Sequence, residues 1–240
     1  MTLAPTRQVR RWPAGVTLVV SLTLSLLASL YTLSGVEQGH RRELELIAAE
    51  LAAKVQTRLR AHAQVLRSGA AHFAGSERVT RHEWRTFVER SRIHLNLPGI
   101  QGIGFVRLIP PAGLRDHERE IRAEGFPDYR VWPEGERSVY SAIVYLEPFT
   151  GRNLRAFGYD MFADPLRREA MTRARDLDVA ALSGKVLLVQ ETDADIQAGT
   201  LMYVPVYRPG MPATTAEERR AALVGWVYSP YRMDDLMAGI

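Results

Sequence analysis

The chain opens with two contrasting hydrophobic patterns. Ala14 to Gly35 reads AGVTLVVSLTLSLLASLYTLSG, 22 positions without a charge. At 1.5 Å per residue such a helix spans roughly 33 Å, close to the ~30 Å hydrocarbon layer of a bilayer, so the run predicts a membrane-spanning helix. From residue 36 to 74 the pattern changes. Leu44, Ile47, Leu51, Val55, Leu59, Leu66, Ala70 and Phe73 recur mostly at steps of three or four, with Arg, Glu and Lys on the other faces and no proline. This predicts a long amphipathic stalk helix continuing outward from the membrane. Its apolar stripe must be buried on its own domain or on a second copy of itself.

Gly75-Ser76 breaks that helix. Thr80 opens another, because Thr80-x-x-Glu83 fits a capping box, and Trp84, Phe87, Val88 and Ile93 supply its apolar face. Beyond Pro98-Gly99 the pattern is mixed. Strands are expected at 100–109, 129–132, 139–146, 186–191, 200–207 and 223–228. Helices are expected at 113–124, 164–177 with Pro165 in its first turn, 215–220, and from Met233 onward, the last heading back toward the membrane. Helices interspersed with hairpin-like strand joins argue for an α+β fold with antiparallel sheets.

Charge refines the topology. Arg7, Arg10 and Arg11 precede the apolar run, with no acidic residue in positions 1–13. By the positive-inside tendency, residues 1–13 are expected in the cytoplasm, 14–35 in the plasma or inner membrane, and everything after 36 on the periplasmic or extracellular side. A cleaved signal peptide fits less well, because the run exceeds a typical signal h-region and no clean A-x-A site follows. The net charge of +4, from 31 basic and 27 acidic residues, is small and well mixed, so no nucleic-acid surface is implied. The absence of cysteine excludes disulfide frameworks, thiol catalysis and cysteine zinc sites.

The blocks PGIQGIGFVRLIPP, VYSAIVYLEPFTGRNLRAFGYDMFADPLRREAMTRARD, ALSGKVLLVQE, GTLMYVPVYRPG and ALVGWVYSPYRMDDLM occur in an order and spacing that resemble the CHASE domain. CHASE domains are extracellular sensors of bacterial histidine kinases and diguanylate cyclases and of plant cytokinin receptors. The resemblance covers about residues 73–237, and a sensor domain over 75–237 is expected. It implies a long helix carrying two stacked PAS-like subdomains, a small ligand in the membrane-distal one, and a homodimer paired through the stalk that reports to a cytoplasmic output. In the plant receptors an Asp grips the ligand; the matching position here is Ser138, which lacks a carboxylate, so the ligand does not transfer.

A sensor cavity needs a few polar groups converging among apolar walls. The candidates are Ser138, Tyr140 and Ser141 at one strand start, Ser183, Gly184 and Lys185 at another, and Tyr203 within a third. Lys185 could pair with an anion. The alternative for each is structural. Asp160 and Asp164 are expected to cap the following helix. No catalytic constellation is visible: His82-Glu83 lacks the second histidine of HExxH, Gly99-x-x-Gly102-x-Gly104 runs into a strand, and no G-x-S-x-G elbow occurs. Thr192-Asp193-Ala194-Asp195 reads as an Asp-rich turn. No metal or cofactor is expected. The leading reading is a membrane-anchored ligand sensor without catalysis; the alternatives are a tethered periplasmic hydrolase and a protein-binding module.

Overall fold

A computed structural model describes residues 12–93, 99–191 and 196–238, with the side chains of 12–14 and 32–40 outside the described set. The chain divides into two units, 1–53 and 54–240. The element order begins with helix α1 (Trp12–Ala74), in which the expected anchor and stalk are one continuous helix. In the first unit its described side chains are exposed on every face, including Leu18, Leu22, Leu26 and Leu30. Among the described residues no helix is long and apolar enough to cross a membrane. Of the expected anchor, the side chains of 15–31 are described, a stretch shorter than the ~20 residues a span needs. The side chains of 14 and 32–35, and residues 1–11 of the expected cytoplasmic segment, lie outside the described set.

The second unit is built on one antiparallel sheet. Its strands are β1 (Ile103–Ile109), β2 (Tyr140–Glu147), β3 (Ala181–Leu182), β4 (Gly199–Tyr207) and β5 (Leu223–Arg232), in the spatial order β2-β1-β5-β4-β3. The helices are α2 (Arg81–Arg90), α3 (Leu114–Ala123), α4 (Pro165–Leu177), α5 (Ala216–Ala222) and α6 (Met233–Ala238). The α+β expectation holds. The two stacked subdomains do not, because the described residues form a single sheet. The reason lies in β5, which pairs with β1 on one side and β4 on the other and so joins strands from both halves of the chain.

Two apolar layers sandwich this sheet. Alternate residues of β5 show the division: Val227 and Tyr231 face the layer containing Leu66, Trp84 and Phe105, while Trp226 and Tyr228 face the layer containing Met171, Phe162 and Tyr203. The first layer is closed by the later turns of α1 with α2 and α3, the second by α4. Helix α1 approaches closely at Gly69, where a Cβ would lie 3.2 Å from both Trp84 and Val227.

Local sequence explains the helix starts. Thr80 and Glu83 form the expected capping box of α2, and Thr215 and Glu218 form a second at α5. Asp164 accepts from the Arg167 amide at 2.9 Å and Pro165 occupies the first turn of α4. The expected strands 129–132 and 186–191 are absent; each is reduced to an isolated bridge, Trp132 to Tyr159 and Val186 to Gly199. Alternating residues there cover the sheet's flanks without reaching a ladder partner.

Gly225 offers a direct check of the sheet register. It pairs with Arg107 on β1 and Val206 on β4, and a Cβ there would collide with the Val106 carbonyl and lie 2.9 Å from the Phe105 ring. Gly225→Ala is expected to destabilise the chain by about 1–3 kcal/mol through overpacking. A fall in the urea midpoint at unchanged slope would show this; an unchanged midpoint would contradict the register.

Candidate functional site

The seven positions expected to line a cavity fall into four places. Tyr140 is buried, donating from its hydroxyl to the Gly135 carbonyl at 2.9 Å and accepting from the Arg137 amide at 3.2 Å. Neighbouring Ser141 points to the opposite layer. Its hydroxyl donates to Asp160 Oδ1 at 3.0 Å and accepts from the Phe162 amide at 2.8 Å. Asp160 therefore caps the 3₁₀ turn Met161–Ala163, and only Asp164 caps α4. The other Asp160 oxygen lies 3.4 Å from Arg137 Nε. Ser183 is spent on the Gly184 carbonyl and the Leu201 amide, and Thr200 donates to its carbonyl. Tyr203 is fully buried and donates to Met161 Sδ at 3.3 Å, and burial pushes its hydroxyl pKa up. Ser138, Gly184 and Lys185 are exposed. The structure thus brings Ser141 and Asp160 together and leaves the rest apart. None of the seven lines the cavity between residues 125–132 and 151–157.

One open cavity, of about 460 Å³, lies between residues 125–132 and the turn Gly151–Ala156 with Phe157. Phe126, Tyr129, Trp132, Leu154 and Phe157 form its apolar wall, with Arg130, Arg155 and Asp128 on its lining. The rings are held from behind. Tyr129 shares a 2.9 Å hydrogen bond with His117 Nε2, and Trp132 Nε1 donates to the Phe157 carbonyl at 2.9 Å. The Arg81 guanidinium sits 4.5 Å from the Phe126 centroid and 5.1 Å from that of Phe157. Burial, with Arg107 and Arg81 nearby, lowers the His117 pKa to about 3. Sequence reasoning placed 129–132 in a strand and missed this wall. Its signal was aromatics at every third position, 126, 129 and 132, in a segment bearing Pro127 and Pro133.

A second polar assembly stands where β5 meets α6. Arg232 Nε donates to Glu191 Oε1 at 2.9 Å, its Nη1 donates to Asp235 at 3.1 Å, and Gln101 and Gln197 both donate to Asp235. Arg58 on α1 donates to the Leu236 carbonyl at 3.3 Å. One turn on, His62 is fully buried and stacks on Tyr231 with centroids 5.0 Å apart, and neither ring nitrogen has a hydrogen-bond partner among the described residues. Burial, aided by Arg58, lowers the His62 pKa to about 4. Among the described residues no group of His, Asp or Glu is arranged to hold a metal ion, and 192–195 lie outside them.

Comparison with known families decides the class: residues 77–240 match the CHASE domain. The chain belongs to the CHASE domain family. No curated protein matches it. CHASE is a sensory, non-catalytic domain of receptors that lies on the extracellular side, so residues 77–240 form a sensory input module. The CHASE domain here pairs an open aromatic cavity on one flank with an ionic assembly at its C-terminal helix.

Proposed function

We propose that this chain is the membrane-anchored input module of a signal-transduction receptor, of the two-component kinase or cyclic-di-GMP type, which reads a small molecule outside the plasma or inner membrane. The observation that carries the reading is the CHASE match over 77–240. The anchor is assigned to residues 14–35. Its support is the exposure of Val16, Leu18, Val19, Leu22, Leu26 and Leu27, all 57% or more, around the helix. Apolar side chains on every face with no protein cover are a lipid-facing pattern.

The stalk pairs with a second copy. Leu44, Ile47 and Leu51 are 65%, 49% and 46% exposed and recur at the spacing of a helix-pairing stripe. Of the expected ligand contacts, Ser138 and Lys185 keep exposed polar groups, while Tyr140, Ser141, Ser183 and Tyr203 spend theirs on hydrogen bonds within the domain. Signalling is a population shift: the ligand binds one arrangement of the dimer better than the other.

The test uses the full chain in nanodiscs, screened against a metabolite library by thermal shift. At least one small molecule is expected to raise the melting temperature in a dose-dependent way. The chain is also expected to stay with membranes through alkaline extraction. No stabilising compound, or release of the chain by alkali, would contradict the proposal.

A further inference from the structure

We propose that the cavity between residues 125–132 and 151–157 binds a small aromatic carboxylate, held by Arg155. This rests on the reading of the domain as a small-molecule sensor and names the chemical class that the cavity fits. Its volume of about 460 Å³ lies within the range usual for small-molecule sites. Its wall is aromatic and ordered before any ligand arrives. Phe126 and Phe157 meet edge to face at 5.0 Å, and Tyr129 meets Phe157 at 4.7 Å. The Tyr129 carbonyl accepts from Arg122 Nε at 2.8 Å, and the Val131 amide donates to Glu118 at 2.9 Å, which fixes the loop that carries the rings. A planar ring stacks on such a wall with little ordering cost. Leu154 is 47% exposed within this lining, an apolar surface that a ligand ring would cover.

Charge selects the other half of the ligand. The lining carries two arginines against one aspartate. Arg130 reaches only the exposed Glu134, at 3.4 Å. Arg155 is exposed and makes no hydrogen bond or ion pair among the described residues. A guanidinium with its five donors unspent matches a carboxylate two bonds at a time. Aromatic walls also suit quaternary ammonium ions, but two guanidinium groups beside them oppose a cation. An aromatic ring carrying one carboxylate satisfies both walls.

Titration calorimetry on the full chain in nanodiscs, with benzoate and indole-3-acetate as probes, tests this. Both are expected to bind, with benzyl alcohol at least tenfold weaker and choline not binding. Arg155→Ala should weaken benzoate about tenfold or more, Arg155→Lys less, and Leu154→Trp should block both acids by filling the cavity. Arg155 has no partner to lose, so its variants are expected to keep the unliganded melting temperature. The inference is overturned if neither acid binds, if benzyl alcohol or choline binds as well as the acids, or if the Arg155 variants bind benzoate unchanged. Failure of the acids alongside a stabilising compound of another class removes this inference and leaves the sensor reading standing; failure of every compound removes both.

Discussion

Glu191→Gln is expected to cost about 2–3 kcal/mol, one of the larger single losses in the domain. Glu191 and Arg232 are 7% and 5% exposed, and their side chains meet twice, at 2.9 and 3.4 Å. Removing the Glu191 charge leaves Arg232 buried with its bond to Asp235 but without its two bonds to Glu191, and that imbalance of charge sets the size of the loss. Arg152 lies 3.9 Å from the same carboxylate, so removing its charge strands a second cation. The double variant Glu191→Gln/Arg232→Met removes the Arg232 cation as well and should recover part of the stability, with Arg152 still unbalanced. Urea unfolding of the two variants measures this. Equal losses in both would show that the bonds lost from Glu191, and not an unbalanced Arg232 charge, set the cost. Because Arg232 also binds Asp235 at the start of α6, the single variant should loosen that helix first, visible as faster amide exchange at 233–238.

The second large effect is on pH. His62 and His117 have pKa values lowered from 6.5 to about 4 and about 3, with burial the leading cause for each. The sign follows from proton uptake. Between pH 6.5 and 4 the unfolded chain protonates these histidines and the folded chain does not, so the unfolded state gains protons as pH falls. Stability is therefore full above about pH 6.5 and declines through that window. At about 1.4 kcal/mol per pKa unit, His62 alone contributes a loss on the order of 3 kcal/mol by pH 4. His62→Phe keeps a ring against Tyr231 and removes the titration. Its stability should fall less steeply than that of the parent between pH 6.5 and 4. Parallel curves would show that His62 is protonated in the folded state.

How much of this was legible in the residues depends on the range of the interaction involved. Short-range chemistry read well. Thr80 with Glu83 gave a capped helix because both partners sit within one turn, and Gly75-Ser76 stopped α1 where expected. The strands read at 100–109, 139–146, 200–207 and 223–228 match four strands of the sheet, the last running on to Arg232, since burial of one face repeats every two residues. What alternation cannot encode is the partner. The choice of β5 to bridge β1 and β4 is a contact between residues some 20 to 120 positions apart, and it made one sheet of what read as two. The same limit governed the site. Polar residues at strand starts looked like ligand contacts, yet Ser141 and Ser183 are consumed by backbone amides and by Asp160. Tyr129 and Trp132 of the aromatic wall looked like part of a strand because only the fold shows Phe157 behind Phe126 and Tyr129.

In the proposed mechanism a small molecule outside the membrane changes how two copies of this chain pair. The chain has no cysteine, so Leu51→Cys gives a single reporter in the exposed stalk stripe. The deciding measurement is the rate of disulfide-linked dimer formation by this variant in membranes, with and without a compound that stabilises the parent chain. The dimer is expected to form, at a rate that changes severalfold with the compound. Absence of the dimer, or a rate indifferent to every stabilising compound, would contradict that mechanism.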